Sequence, residues 1–196
     1  MAMRALLGLA AMVCSLASVA ARAEVVDSTD TSLIIKLEAE APADKTATWK
    51  MLLAPAQWWS PDHTWSGDAA NLYIDAQATG CFCEKLPRPK DAPEGQRMGS
   101  VEHMHVVYAD PQAGLLRMTG ALGPLQVEPV RGTMTFTLKP AGEGTRIELT
   151  YLVGGFMKMK GGDMAPLVDK VLSEQLGRLV QRLAPAPAEA APEKKD

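Results

Sequence analysis

Between Ser32 and Glu40 the chain alternates: Leu33, Ile35, Leu37 and Ala39 fall on one side, Lys36, Glu38 and Glu40 on the other. A period of two marks a half-buried strand. Ala41-Pro42 ends it, and Asp44 is placed to cap a helix carrying Trp49, Leu52 and Leu53, which stops at Ala54-Pro55. A second short helical piece, A-Q-W-W, is closed by Ser60-Pro61. From there to Gly155 the pattern predicts strands separated by turn residues, at Asn71 to Asp75, Cys81 to Lys85, Gly99 to Tyr108, Leu115 to Leu122, Gly132 to Lys139 and Arg146 to Val153. The last two are the clearest. Met134, Phe136 and Leu138 alternate with threonines, and Ile147, Leu149, Tyr151 and Val153 alternate with Arg146, Glu148 and Thr150. One face of an antiparallel sheet is therefore apolar and the other wet.

After G-F-M-K-M-K-G-G the period changes to three and four. Asp163 is positioned to cap a helix running to Leu183, with Pro166 tolerated in its first turn. Leu167, Val168, Val171, Leu172, Leu176, Leu179, Val180 and Leu183 form one stripe, with Asp169, Lys170, Glu174, Arg178 and Arg182 opposite. A long amphipathic helix that follows a sheet with one apolar face must lie across that face, which predicts an α+β fold.

The ends change the picture of where the protein works. Met1 to Arg4 carry one positive charge, Ala5 to Val19 are apolar, and Ala21-Arg22-Ala23 supplies small residues at the positions a signal peptidase reads. Residues 1–23 are thus expected to be a signal peptide, with a mature chain from Glu24, or from Ala21 at the alternative small-residue site, in the periplasm or outside the cell. The apolar run is shorter than the ~20 residues of a spanning helix, so no membrane span is expected after cleavage. Cys14 follows Ala11-Met12-Val13, whose branched valine does not suit a lipobox, and it leaves with the leader. The formal charge of -3 falls to -5 once Arg4 and Arg22 are removed, which disfavours nucleic acid or an anionic surface as main partner. The Pro/Ala-rich tail at 184–196 has nothing to bury and is expected to be disordered, leaving one domain at 24–183.

The order of one strand, two small helices, six strands and a long last helix resembles the helix-grip fold of the START-like (SRPBCC) superfamily. The segments W-W-S-P at Trp58 to Pro61, G-C-F-C-E at Gly80 to Glu84, L-L-R-M-T-G-A-L-G-P-L at Leu115 to Leu125 and G-T-R-I-E-L-T-Y at Gly144 to Tyr151 are similar to the branch of polyketide cyclases and Hsp90-ATPase activators. The resemblance spans roughly Leu33 to Leu183. It implies a curved antiparallel sheet of about seven strands wrapped on the C-terminal helix, around a cavity for lipids, polyketides or other apolar molecules. Its motifs are mostly structural and speak to fold rather than chemistry.

The candidate ligand contacts are Trp59, Trp65, Phe82, Glu84, Met104, Met118, Phe136, Tyr151, Leu167 and Val171. Trp58, Trp59 and Trp65 lie within eight positions in a chain only 5% aromatic, and either grip a ligand or pin the short helices to the sheet. Among 11 methionines, Met104, Met118, Met134 and Met164 fall on or near the inner face, where they serve a variable ligand or ordinary packing. Glu84 shares the parity of Phe82 and faces inward, to orient a polar group or act as a base. His63, His103 and Tyr151 are further polar candidates.

Cys81, Cys83, His103 and His105 form the most specific cluster. A register pairing Cys81 with His105 and Cys83 with His103 gathers four soft ligands of the kind zinc or copper takes. A flat sheet spreads them, however, and an inward Phe82 sends both cysteines outward, so no metal is assigned. A Cys81–Cys83 disulfide is open in an oxidising compartment, although same-side neighbours on a strand lie ~6.5–7 Å apart, at the edge of what a disulfide spans. Free or intermolecularly paired thiols are the alternative. With no nucleophile triad and no Gly-rich phosphate loop, no cofactor is expected. The leading expectation is a binding protein for an apolar small molecule. A cyclase- or dehydratase-type enzyme using Glu84, His103 and Tyr151, and a packed interaction module, are the alternatives; oligomeric state is left open.

Overall fold

The structure is a computed structural model that describes residues 22–185. Nearly all of the expected leader and most of the tail fall outside these residues. Eight antiparallel strands form one sheet in the order β1-β2-β8-β7-β6-β5-β4-β3: β1 Arg22–Ser28, β2 Ser32–Ala41, β3 Leu72–Ile74, β4 Cys81–Leu86, β5 Gly99–Asp110, β6 Leu115–Gly120, β7 Val130–Ala141 and β8 Gly144–Gly155. Helix α1 (Lys45–Leu52), four 3-10 turns and the long helix α2 (Gly161–Leu183) complete the α+β architecture expected from the pattern. No helix among the described residues is long and apolar enough to cross a membrane.

Two features depart from the pattern. The first is β1, an eighth strand added to the edge of β2 with a register break between Val25 and Asp27. Its sequence, R-A-E-V-V-D-S, does not alternate, so no periodicity announces it. The second is the start of α2. Asp163 does not cap it; the helix opens two residues earlier at Gly161, with Lys160 flanking and no side-chain cap. Gly161 donates its N–H to Asp30 O at 3.2 Å, and a Cβ there would fall 2.2 Å from Ser32 O. The helix begins where glycine lets it press onto the β1–β2 turn.

At α1 the cap is the predicted one, with Asp44 Oδ1 accepting from Ala47 N–H at 2.8 Å. The sheet's inner face carries Leu33, Ile35 and Leu37 of β2, Phe136 and Leu138 of β7, and Ile147, Leu149, Tyr151 and Val153 of β8, all buried. Leu172, Leu176 and Leu179 of α2 close over it, each stabilising the fold by roughly 1.5–3 kcal/mol through burial.

The segment between α1 and β3 is held over the open side of this core. Trp58 donates Nε1–H to Met51 O and Trp59 to His63 O, both at 2.9 Å. From α2, Arg178 donates Nε–H to Trp58 O at 2.8 Å, and buried Gln175 accepts from Ser60 N–H at 2.7 Å. On the opposite side, the β6–β7 connection folds back over the sheet through a 3-10 turn at Gly123–Val127. Leu122 N–H donates to Tyr151 Oη at 3.2 Å and Leu125 is buried.

Candidate functional site

The pairing of β4 with β5 decides the site. Cys81 sits opposite His105 and Phe82 opposite Met104, as the strand pattern suggests, but Cys83 then sits opposite Glu102 rather than His103. His103 is the extra residue of a β-bulge, which breaks the alternation and re-aims a side chain. As a result His103 and Met104 are both buried, while Glu102 is exposed and His105 partly so. The four-ligand cluster is therefore dispersed: His103 points in, and His105 lies on the wet face with its Nδ1 3.6 Å from Glu102 Oε1. Cys81 and Cys83 form a disulfide, with Cα atoms 5.4 Å apart, closer than the ~6.5–7 Å of a flat strand. Among the described residues no group of three or more metal-ligating side chains comes together.

The bulge delivers His103 to Glu84. The carboxylate of Glu84 has no solvent exposure and accepts three hydrogen bonds, from His103 Nε2 at 3.0 Å, Trp65 N–H at 3.0 Å and Ser66 N–H at 2.5 Å. Burial pushes its pKa up, but the donors from Ser66, Trp65 and His103 together outweigh burial and hold it below the usual carboxylate value. For His103 burial dominates, lowering its pKa against the pull of Glu84. The pair is thus a carboxylate and a neutral imidazole, and because a carboxylate only accepts, the ring proton is on Nε2. That leaves Nδ1 as a lone-pair acceptor. The ring packs on Phe82 with centroids 4.9 Å apart, and Phe82 meets Trp59 edge-on at 5.1 Å.

In front of His103 opens a cavity of about 510 Å³. Its walls are the segment Trp59 to Trp65, the Leu122 to Leu125 turn, and the first half of α2 with Met159 before it. The sheet contributes His103 alone among the wall residues. Trp59, Trp65, Leu167 and Val171 of the sequence-based set line this space, Trp59 from a buried position and Trp65 and Leu167 from the exposed mouth. Phe82, Glu84, Met104, Met118, Phe136 and Tyr151 do not. They are buried in the core outside it, and the β6–β7 connection is bonded over Tyr151 among them. Glu84 is correspondingly not a cavity-facing group; it stands behind His103. Tyr151 is fully buried, and burial drives its pKa up to about 12 despite the Leu122 amide, so it holds its proton and serves no acid–base step near neutrality.

No family model matches the chain, and no curated protein matches it in sequence. Solved structures do. An uncharacterised protein from Rhizobium leguminosarum shares 16% identity at a TM-score of 0.55, over 83% of this chain and 97% of that one. Mll3558 from Rhizobium loti shares 17% at 0.54, over 76% and 96%. Ara h 8.0201 shares 12% at 0.50, over 78% and 97%. The chain has the helix-grip fold.

In this helix-grip fold the apolar wall residues outside the expected contact set are Leu122, Pro124, Leu125, Met159, Val168 and Leu172, with Met164 noted only as near the inner face. Leu122 read as the end of a strand. The signal that could have found the turn is the apolar L-G-P-L itself, since Gly-Pro breaks a strand while leucines on either side still demand burial.

Proposed function

We propose that the protein is a periplasmic carrier or sensor that holds one apolar small molecule in the cavity between α2 and the two inward-folded segments. The observation that carries this is the cavity itself. At about 510 Å³ it falls within the ~300–1,000 Å³ of small-molecule sites, and its walls are mostly Trp, Leu, Val and Met with few polar atoms. The helix-grip fold supports it, being of the kind that binds hydrophobic small molecules. Export is supported by the leader-like N-terminus and by the Cys81–Cys83 disulfide, a bond that persists in oxidising compartments. Kinship with the cyclase and Hsp90-activator branch rests on the four sequence segments quoted above. The activator role fits an exported chain poorly, since the periplasm lacks both that chaperone and ATP.

The test uses mature protein purified from a periplasmic fraction, where N-terminal sequencing should return Glu24 or Ala21. A naphthalene-type fluorescent probe should bind it with saturation and alter the emission of Trp59 and Trp65. An N-terminus at Met1 would refute export, and the absence of saturable binding would refute the carrier. One observation favours a second reading, an enzyme of the cyclase or dehydratase kind: a neutral imidazole held by a carboxylate is also the arrangement of a general base. Conversion of a bound polyketide, detected by mass spectrometry and lost in His103→Gln, would establish it.

A further inference from the structure

The polar atoms of the cavity wall are fixed in direction, and the fixing groups lie behind the wall. His103 has its Nε2–H committed to Glu84, whose other hydrogen bonds come from Trp65 and Ser66. Its Nδ1 has no hydrogen bond among the described residues. Nor is it one of the buried side-chain atoms that lack a partner, which are Asp169 Oδ1 and Ser173 Oγ, so it keeps access to the cavity. His63, across the mouth, is fixed in the opposite sense. Ser60 N–H donates to Gln175 Oε1 at 2.7 Å, which orients the amide so that its Nε2–H donates to His63 Nδ1 at 3.0 Å. Glu174 Oε2 lies 3.7 Å from the same nitrogen. The hydrogen of the accepting ring is therefore on Nε2, which has no partner among the described residues. Besides Asp62 and Thr64, the mostly apolar wall thus carries an imidazole acceptor, His103 Nδ1, and an imidazole donor, His63 Nε2–H.

We propose that the cavity selects apolar ligands bearing a hydroxyl, an alcohol or phenol, which donates to His103 Nδ1 or accepts from His63 Nε2–H. A hydroxyl is the small group that answers both edges, since it carries a donor and two acceptor lone pairs. A bare hydrocarbon that covers both imidazoles takes them from water and gives no partner in return, at a cost to binding. A carboxylate meets the His103 lone pair, with the buried charge of Glu84 behind it and Asp62 in the cavity wall. This inference rests on the carrier reading and refines its ligand.

The experiment compares naphthalene, 2-naphthol and 2-naphthoate at neutral pH, where the naphthol keeps its proton and the naphthoate does not. By titration calorimetry or tryptophan quenching, 2-naphthol should bind about tenfold more tightly than naphthalene, the net worth of one or two hydrogen bonds, and 2-naphthoate should be weakest. His63→Phe supplies the first variant: it removes the donor, and should cost 2-naphthol several-fold in affinity while leaving naphthalene unchanged, an effect that mere loosening of the loop would not produce. His103→Phe supplies the second: it removes the acceptor and should have the same selective effect. If His103→Phe, which takes the imidazole from buried Glu84, does not fold, His63→Phe decides.

Equal or tighter binding of naphthalene than of 2-naphthol would overturn the hydroxyl assignment and leave the carrier standing. A naphthol advantage that survives both variants would also overturn it. Absence of saturable binding by all three probes would overturn both readings together.

Discussion

A single inserted residue sets the chemistry of the cavity, and its protonation should be visible in the pH dependence of stability. His103 has a folded pKa below the ordinary 6.5 because burial outweighs the attraction of Glu84. Between 6.5 and that lower value the unfolded chain takes a proton that the folded chain refuses, so stability falls as pH drops through this window. Glu84 acts in the same direction further down. Burial raises its pKa, the hydrogen bonds lower it more, and the net depression below 4.5 means that its contribution is present above 4.5 and is lost as pH falls through the folded value. Urea midpoints of the wild type should therefore decline from about pH 6.5 downward, with a slope of at most about 1.4 kcal/mol per pH unit from the one imidazole. His103→Gln keeps an N–H for Glu84 and cannot titrate, so its curve should stay flatter until the carboxylates begin to protonate. Superimposable slopes for the two proteins would mean that His103 is not the group resisting protonation.

At the scale of elements, legibility followed alternation. Strands β2, β7 and β8 each present an apolar residue at every second position, so a period of two was enough to locate them and to assign their inner faces. The α2 stripe was equally plain, since Leu172, Leu176 and Leu179 recur at helical spacing and are buried. Strand β1 lacks alternation, and only its pairing to β2 makes it a strand. The bulge was hidden for another reason: the residues from Val101 to Met104 satisfy a regular register as well as a bulged one, and the choice depends on a buried Glu84 that needs a partner. The cavity wall at Leu122 to Leu125 depends on where a loop folds, which no local period records. The disulfide of β4 lies across from the bulge of β5, and this yields a prediction. Cys81 and Cys83 enclose a single residue, so reduction returns little chain entropy and should cost under about 2 kcal/mol in global stability. The local effect should be larger, because the strand is released from its contracted 5.4 Å spacing next to Glu84. Hydrogen exchange at Phe82 to Glu84 and at His103 should accelerate in a Cys81→Ser, Cys83→Ser variant while the melting temperature moves by only a few degrees. Uniform acceleration across the whole sheet would show instead that the disulfide supports the fold as a unit.

At the scale of the whole molecule, the helix-grip architecture separates a solid half from a hollow one, and two substitutions to the same residue should tell them apart. Met118 lies in the solid half with 1% exposure, paired across β6–β7 with Met134, and Val171 looks from α2 into the open space. A tryptophan at Met118 has nowhere to go, so it should force neighbouring side chains off their rotamers at about 1–3 kcal/mol, while probe affinity survives in the fraction that folds. A tryptophan at Val171 has room. It should occupy part of the cavity, leave the melting temperature unchanged or raised, and weaken naphthalene binding by at least an order of magnitude. The two variants therefore differ in sign for stability and in opposite order for binding, a pattern that neither a packed interaction module nor a uniformly soft core can produce. Thermal unfolding followed by circular dichroism, together with probe titration of both proteins, measures all four quantities. A Val171→Trp protein that is destabilised as much as Met118→Trp, and a wild type that binds no probe, would show that the space beside α2 closes in solution and that the molecule's function lies on its surface.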